Sequence, residues 1–70
     1  MVEDNQMAST ALFDGSGRRI GFTETRSNGN IVAYSPAGVP LGYYCASSKY
    51  TYEWLGRRVG SGNQIGLLFR

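Results

Sequence analysis

The sequence predicts an all-β fold, a small antiparallel up-and-down sheet, barrel or flower of repeated β-hairpins with about seven short strands. One pattern recurs along the chain, the segments between its turns are rich in Tyr, Phe, Val, Ile and Thr, and ten glycines are spread over the 70 residues. These side chains suit a pleated sheet, whereas each glycine would cost about 1 kcal/mol inside a helix.

The recurring pattern is an aromatic residue, three residues, Gly, two residues, an aliphatic residue and Gly. Its three copies are residues 13–21 (FDGSGRRIG), 34–42 (YSPAGVPLG) and 52–60 (YEWLGRRVG), and residues 62–67 repeat its second half. In each of the first two copies, Asp or Ser begins a tetrapeptide that Gly ends, which is typical of a tight turn. Each copy is therefore predicted to form a strand, a turn and a second strand.

The predicted strands lie between these turns and two others. Asn28-Gly29 predicts a primed two-residue hairpin turn, and residues 61–63 (SGN) predict a further turn. The polar residues 1–10 are expected to be a disordered arm, which leaves residues 11–70 as one domain. Strands are expected at residues 11–14, 19–24, 31–34, 41–46, 50–54, 57–60 and 65–69.

The last glycine of each copy falls inside a predicted strand. A glycine there indicates a bulge, a bend or the close approach of another group. Because the same position recurs, a common geometric cause such as coiling of the sheet around an axis is expected. The alternative is that the glycines merely allow the sheet to curve. The glycines concerned are Gly21, Gly42, Gly60 and Gly66.

Residues 12–22 (LFDGSGRRIGF) resemble the repeat of small bacterial and phage proteins called 4-fold β-flower proteins. The second copy has Ser35 in the acidic place, and the third has Ser61 in place of the final aromatic residue. The resemblance extends over about residues 11–69. It implies successive hairpins around a pseudo-fourfold axis, and no particular activity.

The length of the chain predicts self-association. A domain of this size buries only about 60% of its unfolded surface. Cys45 is the single cysteine and the chain has no His, so neither a disulfide nor a zinc site is expected to compensate. A homo-oligomer is therefore expected, with a small well-packed monomer as the alternative.

The sequence also predicts the compartment. No apolar run approaches the ~20 residues that span a bilayer, and residues 1–10 lack the basic and apolar regions of a signal peptide. An unpaired Cys45 fits a reducing compartment. A cytoplasmic protein without a membrane partner is expected.

Catalysis is not expected, because no His or other base signature accompanies a Ser, Thr or Cys nucleophile. No cofactor is expected either. Asp14 and Glu53 occupy similar places in the first and third copies. They would either meet as a carboxylate pair or, as is more common, form local hydrogen bonds.

Two arginine pairs are candidate ligand-binding residues. Arg18 and Arg19 in the first copy correspond to Arg57 and Arg58 in the third. Neighbours in a strand point to opposite faces, so one arginine of each pair is expected on a common face. There the guanidinium groups, multiplied by oligomer symmetry, would bind phosphate or carboxylate; a solvated hairpin edge that blocks sheet extension is the alternative.

Three aromatic residues complete the candidate site. Trp54 stands at a turn position and is expected to be an exposed stacking platform. The adjacent Tyr43 and Tyr44 must point to opposite faces, so one of them is expected on the outside.

These features predict a non-catalytic small-ligand binding protein. A homo-oligomer would capture an anionic, nucleotide-like molecule, as phage-encoded sponges do with nucleotide immune signals. The alternative is a protein-interaction or structural module that displays a Tyr- and Trp-rich sheet surface. Nucleic acid is the less favoured partner, since residues 11–70 carry seven basic and three acidic side chains, a net +4. Carbohydrate stacking on the same aromatic residues stays open.

Overall fold

The computed structural model describes residues 8–69, which form one antiparallel sheet with the strands in chain order. This confirms the predicted all-β up-and-down class. Six strands lie in this part of the chain, β1 (Ala8–Phe13), β2 (Arg19–Thr25), β3 (Ile31–Tyr34), β4 (Pro40–Cys45), β5 (Tyr50–Glu53) and β6 (Arg58–Ser61).

The three copies of the pattern form three hairpins with the same turn. In the first copy Gly17 N–H donates to Asp14 C=O at 3.0 Å and Asp14 N–H donates to Arg18 C=O at 2.9 Å. The second and third copies repeat these bonds at the corresponding residues. The last turn residue has φ near +90° in each copy, 88° at Gly17, 89° at Gly38 and 103° at Gly56, a conformation in which a Cβ is strained.

The aliphatic residue of each copy is the extra residue of a β-bulge. Leu12 lies opposite Gly21 while Phe13 lies opposite Arg19, so Ile20 has no partner on β1. The same shift occurs at Leu41 and at Val59. Bulges increase the local twist and bend of a sheet, so the sheet bends at the same point of every repeat.

The turn at Asn28 and Gly29 is not the primed turn that the Asn-Gly pair predicted. Gly29 N–H donates to Arg26 C=O at 3.0 Å, and Arg26 N–H donates to Asn30 C=O at 2.7 Å. Gly29 has φ 92°, whereas Asn28 is not among the residues with positive φ. A primed turn of the predicted type needs positive φ at both central residues. The loop is therefore the three-residue kind, a type I turn followed by a left-handed glycine.

Residues 65–69, predicted as a strand, form a 3₁₀ helix, Ile65–Phe69. Asn63 Oδ1 accepts the N–H of Ile65 at 3.1 Å and so caps the first turn. The helix packs on the sheet above two repeat glycines. A Cβ at Gly42 would lie 2.8 Å from Leu68 Cδ1, and one at Gly21 would collide with the Phe69 ring.

Thr51 holds the segment that leads into this helix. Its fully buried hydroxyl donates to Gly62 C=O at 2.8 Å and accepts the N–H of Gln64 at 2.9 Å. The buried apolar side chains of the described residues are Val32, Ala33 and Ile65. The hydrophobic core of residues 8–69 is thus small, and it contains no aromatic ring.

The first strand begins before the expected domain boundary. β1 starts at Ala8, so residues 8–10 pair with β2 and are not part of an arm. Residues 1–7 of the predicted arm lie outside the described residues. Among those described, no helix has the length and apolar character needed to cross a lipid bilayer.

Candidate functional site

The two faces of the sheet differ sharply. The C-terminal helix covers the face toward which a Cβ at Gly42 would point. The neighbouring Tyr43 points to the opposite face and lies across from Val32 on β3 and Tyr52 on β5. We call this opposite side the aromatic face. Among its side chains are those of Arg19, Phe22, Glu24, Val32, Tyr34, Tyr43, Tyr50, Tyr52 and Arg58.

Two pairs of rings stack on the aromatic face. The Phe22 and Tyr34 rings have centroids 4.9 Å apart and planes 16° apart, and the Tyr43 and Tyr52 rings have centroids 5.3 Å apart and planes 24° apart. All four side chains are half-buried. Stacked pairs at this separation are favourable beyond their buried area, and because the side chains are only half-buried, part of each ring is exposed on this face.

One arginine of each predicted pair lies over a ring of this face. The Arg58 guanidinium carbon is 4.6 Å from the Tyr50 ring centroid, and that of Arg19 is 5.5 Å from the Phe22 centroid. These are cation–π distances. The strand alternation expected from the sequence therefore brings Arg19 and Arg58 to the same face.

The other two arginines belong to the turns. Arg57 Nε lies 3.1 Å from Glu53 Oε1, and Arg18 Nε lies 3.7 Å from Asp14 Oδ2. Both side chains are about four-fifths exposed, 79% for Arg57 and 82% for Arg18. Exposed pairs of this kind contribute little to stability.

The two cation–π pairs do not form one cluster. Arg19 lies on β2 and Arg58 on β6, with β3, β4 and β5 between them. Four strand spacings of about 4.8 Å put these strands roughly 19 Å apart. We therefore distinguish a β2–β3 half-site (Arg19, Phe22, Arg26, Tyr34) and a β4–β6 half-site (Tyr43, Tyr50, Tyr52, Trp54, Arg58).

Sequence reasoning missed Arg26. Its guanidinium donates to the Tyr34 hydroxyl at 3.0 Å and lies 3.6 Å from Glu24 Oε1. Alternation carried the signal, because positions 22, 24 and 26 fall on one side of an extended strand. Arg26 therefore gives the β2–β3 half-site a second cation beside the stacked rings.

The three predicted aromatic residues separate. Trp54 lies in the third turn, is 51% exposed and meets Tyr43 edge-on, with centroids 6.1 Å apart. Tyr43 belongs to the aromatic face. Tyr44 lies across from Ile31 and Thr51 on the face that carries the C-terminal helix. The structure brings Tyr43 and Trp54 into contact and places Tyr52 across from both Tyr43 and Arg58. Tyr44 lies on the other face, away from them.

The two carboxylates of the repeat form local bonds. Asp14 Oδ1 accepts the N–H groups of Ser16 and Arg18 and the Ser16 hydroxyl, at 2.7–2.9 Å. These bonds, led by that of the Ser16 hydroxyl, lower the pKa of Asp14. Glu53 Oε1 accepts a hydrogen bond from Arg57 Nε within the third hairpin turn. Within residues 8–69 no group of three His, Cys, Asp or Glu side chains is placed to hold a metal ion.

Cys45 lies at the end of β4, beside a four-residue loop. Its sulfur is 3.3 Å from Ser47 Oγ. Hydrogen bonds from Ser47, and then from Ser48, lower the pKa of the thiol to about 7. The loop closes with Lys49 N–H donating to Cys45 C=O at 2.8 Å, and Lys49 has φ 61°.

Comparison of the chain with protein-family models, curated proteins and solved structures finds no match. The resemblance to β-flower proteins stays a prediction. The aromatic face is therefore the basis for inferring a function.

Proposed function

We propose that this chain is a non-catalytic binding protein whose aromatic face captures an anionic molecule that contains a flat ring, of the nucleotide class. The observation that carries the proposal is the placement of Arg19 over Phe22 and Arg58 over Tyr50 on the same face. Each arginine lies over a ring of a half-site whose tyrosines are partly exposed, so each half-site offers both a cation and aromatic surface.

Each half-site has the chemistry that a nucleotide needs. A base stacks on aromatic rings with little sequence preference, for about 1–3 kcal/mol per base. A guanidinium group binds phosphate through two parallel hydrogen bonds. In the β4–β6 half-site the rings of Tyr43, Tyr52 and Trp54 adjoin one another, and Arg58 would meet the phosphate.

The ligand would lie on an open surface. Residues 8–69 enclose no cavity, so one copy of the chain would leave one side of the ligand in water. Capture and slow release in a cytoplasmic setting, as in a phage-type sponge for nucleotide signals, require no catalytic group. Such a role would gain from a second copy that brings further half-sites to the same ligand.

The test uses Trp54, the chain's single tryptophan, as a fluorescent reporter in titrations with nucleoside monophosphates and cyclic dinucleotides. A nucleoside and inorganic phosphate serve as ligands that carry only one of the two features. Arg58→Ala is expected to weaken binding about tenfold or more, since a hydrogen bond to a charged group contributes roughly 1.5–3 kcal/mol.

Adjacent arginines supply matched controls. Arg57→Ala removes the same charge from the next position, but its guanidinium lies in the exposed turn pair with Glu53. We expect it to weaken binding less than about threefold, because exposed charges are screened by salt. The same comparison on β2 uses Arg19→Ala and its control Arg18→Ala. Equilibrium dialysis measures the nucleotide affinity of these two variants. Equal losses within each pair, or no binding by the unaltered chain, would refute the proposal.

The alternative function, a protein-interaction module, is favoured by a different observation. The ends of the three repeat hairpins carry exposed apolar side chains: Phe13 is 60%, Val39 58% and Leu55 97% exposed. Antiparallel order puts these turns at one end of the sheet. If a protein partner binds at this end of the sheet, Leu55→Ser and Val39→Ser would abolish its binding, whereas nucleotide binding would persist.

A further inference from the structure

Strand β1 is an open edge of the sheet. It pairs with β2 on one side and with no other described strand on the opposite side. We propose that this edge pairs with β1 of a second copy, antiparallel and across a twofold axis, so that two sheets join into one.

The backbone geometry gives β1 free bonding groups. Asp14 N–H bonds toward β2, at Arg18 C=O, and inward bonds alternate with outward groups along an antiparallel strand. Leu12 and Thr10 therefore bond inward. The N–H and C=O groups of Ser9, Ala11 and Phe13 point away from β2 in the plane of the sheet. A further strand can form hydrogen bonds with groups arranged in this way.

The side chains of β1 do not protect this edge. Natural edge strands carry charges, proline or bulges that prevent pairing. Residues 8–13 (ASTALF) are uncharged and contain no proline, and the bulge of the first repeat is on β2. Ser9, Thr10 and Ala11 are exposed. Two copies of β1 therefore meet without like-charge repulsion.

The opposite edge is unsuited to the same contact. β6 has four residues, contains the bulge at Val59 and begins with Arg58, which follows Arg57. Charged side chains and a bulge on an edge strand both oppose pairing with a further strand. The contrast between the two edges argues for a pair of chains rather than an open fibre.

The size of the core argues for a second copy as the occupant of the edge. The buried apolar side chains in the described part of the chain are Val32, Ala33 and Ile65. Short chains with so little core commonly gain stability by association. Phe13, 60% exposed at the end of β1, would lose water contact against the added strand.

Strand parity fixes which faces align. A twofold axis perpendicular to the sheet puts a residue of β1 opposite its own copy, and directly opposite residues share a face. With Ala11 at the axis, Ser9 lies opposite the second copy's Phe13, and Thr10 lies opposite its Leu12. The aromatic faces of the two copies then lie on the same side of one continuous sheet.

The β1–β1 contact extends the proposed function, and its role in ligand binding rests on that proposed function. The two β2 strands would be three spacings apart, roughly 14 Å at about 4.8 Å each. Both β2–β3 half-sites, each with Arg19 over Phe22, would flank the joint. A ligand with two phosphates or two bases could then contact both copies.

The first test is sedimentation of the full chain over a range of concentrations, with Ala11→Lys as the disrupting variant. Two lysines would lie directly opposite each other at the axis, so the dimer dissociation constant is expected to rise at least about tenfold. Ala37→Lys is the control, because Ala37 is exposed in the second hairpin turn, at a distance from β1. Far-UV circular dichroism verifies that each variant is folded.

The second test locates the contact by cross-linking in a Cys45→Ser background. Opposite residues that exchange hydrogen bonds have Cα atoms about 5.5 Å apart, within the roughly 4.4–6.8 Å range of disulfides. Ala11→Cys is therefore expected to form a disulfide dimer under mild oxidation. Thr10→Cys, displaced by two residues from its own copy, is the matched control and should stay largely reduced.

A monomer at every concentration would overturn the inference, as would an oligomer that Ala11→Lys leaves intact. The second result would point to contact through β6 or through the hairpin ends. These failures are separable from failure of the proposed function. A monomer that binds nucleotide contradicts the β1 contact alone, and a β1-linked dimer that binds no nucleotide contradicts the ligand.

Discussion

Leu68 lies directly over the backbone of Gly42. A Cβ at position 42 would be 2.8 Å from Leu68 Cδ1 and would also collide with the Tyr52 carbonyl oxygen. The repeat glycine of β4 thus makes room for the C-terminal helix on one face, while Tyr43, the next residue, serves the other face. The same strand position joins the packing of the fold to the aromatic face.

Gly42→Ala is expected to destabilise the fold by about 1–3 kcal/mol, the cost of an extra methyl group in a well-packed site. The carbonyl of Tyr52 belongs to the backbone and cannot move aside cheaply. Urea unfolding measures the change. Gly66→Ala is the control, because a Cβ at Gly66 meets nothing within 4 Å. Equal stability of the two variants would contradict this account of the repeat glycine.

The hairpin turns depend on a different property of glycine. Gly38 has φ 89° and open space around the position of a Cβ, so the cost of a side chain there is conformational. Gly38→Ala is expected to lower the free energy of unfolding by about 1–2 kcal/mol. Gly38→Asn should lose less, since Asn tolerates the left-handed region. Thermal unfolding compares them, and a loss for Asn as large as that for Ala would argue against this explanation.

The turn chemistry was predictable from sequence because it is local. Asp14 to Gly17 and Ser35 to Gly38 carry the signals of a type I turn with a terminal glycine, and both form it. The Asn28-Gly29 pair misled because the same two letters fit a primed turn and a three-residue loop. Loop length, set by the register of Glu24 opposite Val32, decided between them.

The C-terminal helix was missed because its position depends on distant residues. Ile65 to Phe69 repeats the apolar half of the pattern, which suited a strand. Asn63 was the available signal, an N-cap residue two positions before Ile65. Likewise, Arg19 and Arg58 were predictable as residues of one face, but their separation by three strands follows from the sheet order alone.

Thr51 is expected to be the most sensitive polar position of the sheet. Thr51→Val keeps the shape of the side chain but leaves Gly62 C=O and Gln64 N–H without the hydroxyl that bonds both. An unsatisfied buried group costs about 1–3 kcal/mol. Amide hydrogen exchange should show the largest loss of protection at Gln64. Thr25→Val, at an exposed strand end, is the control, and unchanged protection at Gln64 would contradict the anchoring role.

Cys45 is expected to react with iodoacetamide with a half-maximal rate near pH 7, because the thiol pKa is lowered to about 7. The free thiolate is the nucleophile, and an ordinary cysteine reaches half ionisation at about 8.5. The folded state therefore binds this proton less tightly than the unfolded state. The stabilisation that results is fully present above the unfolded pKa and is lost as pH falls through about 7.

Ser47 supplies the first cause of the lowered pKa. Ser47→Ala is expected to move the midpoint of the alkylation profile upward and to slow the reaction at pH 7. Ser27→Ala, in the turn between β2 and β3, should leave the profile unchanged. A midpoint at or above about 8.5 in the unaltered chain, the value for a free cysteine, would show that the Ser47 hydroxyl does not stabilise the thiolate. An unchanged midpoint in Ser47→Ala would assign the lowered pKa to Ser48 and the loop backbone instead.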